Sequence, residues 1–322
     1  MQNAQWDGKT RGGTFGQRSL FALLRHINIR AAYALIVPAL PFFLLSRPHH
    51  LRAIYRYFKH RQGHTALGAA LRTVGNYYVF GQVVLDKFYL LSGSRNPFKI
   101  STEGIEHYDQ ACSQPSGFMI LSSHVGNYEL AGYSLKSVKP MNAIVFGGEN
   151  AYLQQNRNNT LAINNITPIP VAPDMSHLFA IKGALERGEV VSIPGDRIFG
   201  SAKSIPCPLL GAETHLPLGP FITAAQLNAK ALAIFVMKER GLRYRIYIKP
   251  IEQPQLAANT RQAAHGMAQQ FAQLLEQIVR KYPAQWFNYY DFWQTPANIG
   301  PNDKKKNTDH NAIATERNLR QG

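Results

Sequence analysis

Cysteine is scarce. The 322-residue chain has two, Cys112 and Cys207. They lack the close spacing of a zinc site or a disulfide framework, so the chain fits a reducing compartment and no metal is expected. Acidic residues are few as well: 19 Asp and Glu against 35 Lys and Arg, a net charge of +16. No Gly-x-Ser-x-Gly elbow occurs, which argues against a serine hydrolase working through an acyl-enzyme. No continuous apolar run reaches the ~20 residues of a membrane-spanning helix. The charge-free stretch Ala31–Ser46 has 16 residues, about 24 Å as a helix, and Pro38 and Pro41 interrupt it. Thirty residues precede it and no small-x-small cleavage site follows, so a secretory signal peptide is not expected. There is no internal repeat.

What is present is unevenly placed. Residues 1–62 hold ten Lys or Arg and one acid, Asp7, so +9 of the net +16 lies in the first fifth of the chain. Such a concentration points to an anionic partner: lipid headgroups, nucleic acid or an acidic protein. The first 19 residues are polar and patternless. Apolar character begins at Leu20 and culminates in Ala31–Ser46, with Arg25, Arg30, Arg47, Arg52 and Arg56 around it. This pattern predicts a helix that enters or lies on a membrane, its arginines meeting anionic headgroups. A second helix is predicted over 67–91, on Leu67, Leu71, Val74, Tyr78, Val83, Phe88 and Leu91. Basic residues flank apolar sequence and do not alternate with aromatics along a groove, so nucleic acid is not expected as partner.

From about residue 98, apolar strands alternate with helices. Strands are predicted at 98–100, 118–121, 141–146, 169–171, 190–194, 231–237 and 244–248, and helices over 126–138, 149–163, 176–187, 218–228 and 262–280. The expected fold is therefore α/β, a mostly parallel central sheet flanked by helices, with antiparallel pairing around Gly241 and an N-terminal amphiphilic, membrane-associating helical region. The expected organisation is a helical region over 1–95, an α/β domain over 96–299, and a disordered polar tail over 300–322.

Two stretches carry chemistry. In Phe118-Met119-Ile120-Leu121-Ser122-Ser123-His124-Val125-Gly126-Asn127-Tyr128-Glu129, a buried strand ends at a histidine, where α/β folds place their sites. Five residues on a continuous helix put two side chains about 140° apart, so His124 and Glu129 meet only if His124 lies outside the first turn, which Gly126 eases. A carboxylate on one ring nitrogen then fixes the tautomer and leaves the other to take a proton. The second stretch, Val190-Val191-Ser192-Ile193-Pro194-Gly195-Asp196-Arg197, is another strand ending in a turn. Strand ends of one parallel sheet converge, so Arg197 is expected across a cleft from His124, as a phosphate or oxyanion ligand. Asn127 either holds the turn or binds a headgroup. Asp174 either caps the helix beginning at Ser176 or, with His177 and Arg157, meets an acceptor headgroup.

These blocks, with Pro283-Ala284-Gln285-Trp286 and the aromatic Phe287–Trp293 that follows, resemble the lipid A late-acyltransferase branch of the bacterial lysophospholipid acyltransferase superfamily, from about Trp6 to Trp293. That branch often has Glu where Ala284 stands, and the glycerolipid branch has Pro-Glu-Gly where this chain has Pro194-Gly195-Asp196. The resemblance implies transfer of a fatty acyl group from an acyl carrier protein or coenzyme A thioester to a hydroxyl of a membrane lipid, at the cytoplasmic face of the inner membrane, without a cofactor. It implies His124 as general base and Glu129 as its partner. Arg197, Asp196, Asn127 and backbone N–H groups near Gly126 are the candidates for oxyanion and substrate binding, joined by Arg157 and His177. Lys203 and the basic N-terminus are candidates to receive an acidic carrier protein. A non-catalytic lipid-binding protein and an acyl-ester hydrolase remain the alternatives.

Overall fold

The nine strands of the computed structural model are β1 (Lys99–Glu103), β2 (Phe118–Ser122), β3 (Met141–Val145), β4 (Ile166–Pro170), β5 (Val190–Pro194), β6 (Ser204–Leu209), β7 (Ala212–Pro217), β8 (Lys230–Lys238) and β9 (Arg243–Ile251), all counted among the described residues. Those residues are 14–92, 96–128, 130–135, 139–145, 166–171, 176–198 and 203–293. The helix expected over 149–163 and the tail expected over 300–322 lie outside them. Seven strands form one sheet in the order β1-β9-β8-β2-β5-β3-β4. Each neighbouring pair is parallel except β8 and β9, an antiparallel hairpin that turns at Gly241, φ +73°.

β2 is central, and all five of its residues are buried, the continuous apolar run of a strand covered on both faces. Met119 and Leu121 enter one core with Val191, Phe221 and Phe271. Phe118 and Ile120 enter the other with Val190, Leu232 and Ile246. The face of Met119 is covered by α7 (Ser176–Glu186), α8 (Leu218–Gln226) and α9 (Thr260–Lys281), reached after α1 (Thr14–His26), α2 (Ile29–Ser46), α3 (Pro48–Arg56), α4 (Ala66–Leu91), α5 (Ile105–Ser113) and α6 (Leu130–Ser134).

Three differences from the sequence pattern have physical causes. β6 and β7 form a separate antiparallel hairpin that Pro206 and Pro208 hide in the sequence; both prolines face outward while Ile205, Cys207 and Leu209 are buried, the placement an edge strand tolerates. The helix expected from 126 begins at Leu130. The Gly126 and Asn127 N–H groups donate instead to Gln285 O at 3.0 Å and Val236 O at 2.8 Å, so tertiary pairing overrides local propensity. At the N-terminus α1 starts at Thr14, ahead of the apolar onset at Leu20, and fully buried Leu24 holds it to the helices around it.

α2 packs against α4 through Ile29, Ala32, Tyr33 and Ile36. A polar cluster joins this pair of helices to the sheet. The Asp86 carboxylate of α4 is fully buried, as is nearly all of Lys238 at the end of β8, and Lys238 Nζ donates to it at 2.6 Å. The hydroxyls of Tyr33 and Tyr244 also donate to Asp86. Burial disfavours both charges, raising the Asp86 carboxyl and lowering the Lys238 ammonium, and their attraction and hydrogen bonds oppose it.

Removing one partner strands the other charge. Lys238→Ala is expected to lower unfolding free energy by about 3–5 kcal/mol, read from urea denaturation in mild detergent. Asp86→Leu/Lys238→Met is expected to be more stable than Lys238→Ala, because no lone buried charge remains.

Candidate active site

β2 and β5 run parallel with Ser122 opposite Pro194. Carrying that register two residues past each strand brings His124 abreast of Asp196. The structure shows them joined twice: His124 Nδ1 lies 2.8 Å from Asp196 Oδ1, and the His124 backbone N–H donates to Oδ2 at 2.8 Å. A carboxylate only accepts, so Nδ1 carries the proton and Nε2 is the basic nitrogen. The Asp196 side chain is 0% exposed and that of His124 16%, so the carboxylate is sealed and the imidazole reaches the surface. Burial pushes the Asp196 carboxyl up. The charge of His124, its hydrogen bonds and nearby Arg197 together outweigh that and hold it below the ordinary range.

The turn after His124 is built for close approach. Gly126 has φ +66°, and a Cβ there would lie 2.1 Å from Val236 O. Its N–H and that of Asn127 are bound within the fold, which leaves neither pointing at an incoming oxyanion. The buried Asn127 amide faces the Tyr244 hydroxyl at 3.5 Å, and so meets the Asp86 cluster. Tyr128 stands edge-on to the imidazole, centroids 5.4 Å apart.

The C-terminal block closes one wall. Val125 bridges to Trp286, and Phe287 N–H donates to His124 O at 3.3 Å. Trp286 is 1% exposed and stacks on Tyr57 and Trp293, so the aromatic cluster is packed and does not form a cage. Arg197 ties this block to the second loop: Nε donates to Asn288 Oδ1 at 2.7 Å and Nη2 to Phe287 O at 3.0 Å, with the guanidinium over Tyr290. Asn288 in turn donates to Asp196 Oδ2 at 3.4 Å. A cleft of about 310 Å³, lined by Arg72, Val79, Gln82, Glu239 and Lys281, lies across Gln285 and Lys238 from this turn and does not contain His124.

The structure thus brings together His124, Gly126, Asn127, Asp196 and Arg197. His177 is half-buried on the first turn of α7, the helix that packs on β4 and β5. Glu129, Arg157 and Asp174 lie outside the described residues. The sequence pattern did not reveal Asp196 as the partner of His124, nor Asn288 and Gln285 as supports. The neighbouring pairing of β2 and β5 is the signal that finds the first. Among the described residues no group of three His, Cys, Asp or Glu side chains could hold a metal ion. The Cys207 thiol is pushed up to about 12 by burial and by Glu213, so it is a poor nucleophile.

The family model for bacterial lipid A biosynthesis acyltransferases matches residues 75–295, about two thirds of the chain and every site residue named above. Comparison with individual curated proteins gives no match.

Because the folded Asp196 carboxyl titrates below its unfolded value of about 3.9, its contribution to stability is complete above about pH 4 and is lost as pH falls through the folded value. Wild-type protein is therefore expected to lose more stability than Asp196→Asn on acidification from about pH 5 to about pH 2, measured by urea midpoints across that range.

Proposed function

Because the chain belongs to the bacterial lipid A biosynthesis acyltransferase family, we propose that it moves a fatty acyl group from a thioester directly to a lipid hydroxyl, with His124 as general base. The observation that carries this reading is the His124–Asp196 pair: a partly exposed imidazole with its tautomer set by a sealed carboxylate, which leaves Nε2 as the basic nitrogen. A hydroxyl is a weak nucleophile near neutral pH, and a base within hydrogen-bond reach supplies the activation. His124 Nε2 takes the hydroxyl proton as the oxygen bonds to the thioester carbonyl carbon. The tetrahedral intermediate expels the thiolate, which takes the proton back from the imidazolium. The new ester and the thiol leave, and no acyl-enzyme forms.

Asp196 supports the imidazolium in this scheme, the part expected of Glu129 from the motif; Glu129 adds a second negative charge or orients the acceptor. Arg197 supplies positive charge beside the reacting carbonyl and holds the C-terminal wall, because its bonds to Asn288 and Phe287 favour a clamp. The N–H groups of Gly126 and Asn127 shape the turn. Arg157 and His177 meet the acceptor headgroup. The donor is an acyl carrier protein or coenzyme A thioester, both anionic, which suits a chain of net charge +16, with Lys203 and the basic N-terminus as landing points. Residues 1–95 act as a membrane-associating region at the cytoplasmic face of the inner membrane.

His124→Ala is expected to lower transfer by about 10²–10⁴-fold, and Asp196→Asn by a smaller factor of at least about 10. The assay incubates protein with labelled acyl-carrier thioester and lipid acceptor, and separates new lipid ester from free fatty acid. Normal transfer by His124→Ala removes the mechanism, and free acid as the main wild-type product makes the protein a hydrolase.

A further inference from the structure

α2 is apolar on both of its faces, and the structure accounts for only one. Ile29, Ala32, Tyr33 and Ile36 are the four buried residues of its 18, and Leu40 packs with them against α4. On the opposite face Ala31, Leu35, Pro38, Phe42 and Leu45 recur at helical spacing and are all exposed, Phe42 by 70% and Leu45 by 80%. A helix apolar all round is covered all round, by protein or by lipid. The first turns of α4 continue the exposed surface, with Leu67 and Leu71 72% and 65% exposed. Arg30 and Arg47 stand at the two ends of α2, and Arg52, Arg56, Lys59 and Arg61 follow on α3 and the π-turn Tyr57–Arg61. An apolar stripe framed by cations complements an anionic bilayer surface.

By length and composition alone, α2 passes as a membrane span. Its attachments oppose that. About 27 Å of helix falls just short of a ~30 Å hydrocarbon core, so nearly every residue would have to be immersed. Yet Tyr33, one turn into α2, donates to Asp86 and accepts from Lys238 Nζ at 2.9 Å, and immersing this ionised cluster is costly. The chain on both sides of α2 is fixed to one folded body. Before it, Arg25 Nε donates to Ser92 O at 2.8 Å, just past the end of α4. After it, Tyr57 donates to Pro283 O at 3.1 Å and stacks on Trp286. α4 cannot cross with it, because Asn76 on its inner face donates to Trp286 O and Ala284 O.

We infer that α2 is an in-plane anchor, lying along α4 with its outer stripe sunk in one leaflet of an anionic bilayer, and does not cross the membrane. This rests on the reading of the protein as an enzyme of membrane lipids and defines how it meets them. The C-terminal wall beside His124 packs on the inner face of α4, where Phe80 meets Phe287 with ring centroids 5.1 Å apart. Seating α2 and α4 in the headgroup region therefore holds the imidazole at the depth where a lipid hydroxyl meets a water-borne thioester.

The test uses the full chain and reads binding and topology, not activity, so it stands apart from the transfer assay. Vesicles of phosphatidylglycerol and phosphatidylethanolamine are compared with phosphatidylcholine vesicles by co-sedimentation. The expected result is binding at least ten-fold tighter to the anionic vesicles, and a ten-fold or greater loss in Leu35→Glu/Phe42→Glu, whose circular dichroism and thermal midpoint stay near those of the parent because both side chains are exposed. His124→Ala is expected to bind like the parent. For topology, Arg30→Cys and His49→Cys, one at each end of α2, are expressed separately and labelled in sealed inner-membrane vesicles with an impermeant maleimide, above the background of Cys112 and Cys207. Labelling of both from the same side is expected. Labelling from opposite sides makes α2 a span and overturns the inference. So does unchanged binding by Leu35→Glu/Phe42→Glu, or a wild-type chain that ignores vesicles and elutes as a dimer which the double variant splits, placing a second copy on the stripe.

Discussion

Asp196 holds His124 by two different atoms, one on the ring and one on the backbone, and most of the site follows from that double grip. A bond to the ring alone would set the tautomer but leave the side chain free to swing with its loop. A bond to the backbone alone would fix the loop but not the ring. Together they fix the direction of Nε2. The arrangement costs a fully buried carboxylate, which is tolerable because its oxygens accept from two N–H groups of His124 and from Asn288, with the Arg197 charge nearby. It also demands that two parallel strands end in register, which Ser122 opposite Pro194 provides.

The rest of the molecule keeps those two loops from drifting. Gly126 passes so close to Val236 that no side chain fits, and the C-terminal block bonds to the backbone of His124 and Gly126 while Arg197 binds that block to the second loop. On the other flank, Asn127 faces Tyr244, and Tyr244 shares Asp86 with Lys238 and Tyr33. The helices outside the α/β unit thus contact the His124 turn through one intermediate residue, Tyr244. Loop, terminal block and N-terminal helices form one packed object, and an apolar outer helix is part of it.

The strands and the long helices could be read from the sequence because their signals are local: apolar runs at 118–121 and 190–194, helical spacing at 67–91 and 262–280. The β6–β7 hairpin was hidden because Pro206 and Pro208 read as breakers until their outward orientation is known. The helix onset at Leu130, and not 126, depends on carbonyls from Val236 and Gln285, far off in the chain. The same holds at the site. His124 was marked by its place at a strand end, whereas its partner required knowing that β5 is the neighbour of β2. A fixed sequence spacing pointed to Glu129, which lies outside the described residues, whereas Asp196 is found through sheet order, which no spacing encodes.

That difference bears on the chemistry. An imidazole has two nitrogens, and a base of this kind needs one of them open. With Nδ1 held by Asp196, a second carboxylate placed against Nε2 would occupy the position where the hydroxyl proton must arrive. In the proposed mechanism the ring therefore needs no second carboxylate to set its tautomer, because Asp196 already does so. The histidine and the Asp-Arg turn, 72 residues apart in the chain, meet at one sheet edge, and the proposed oriented base requires both.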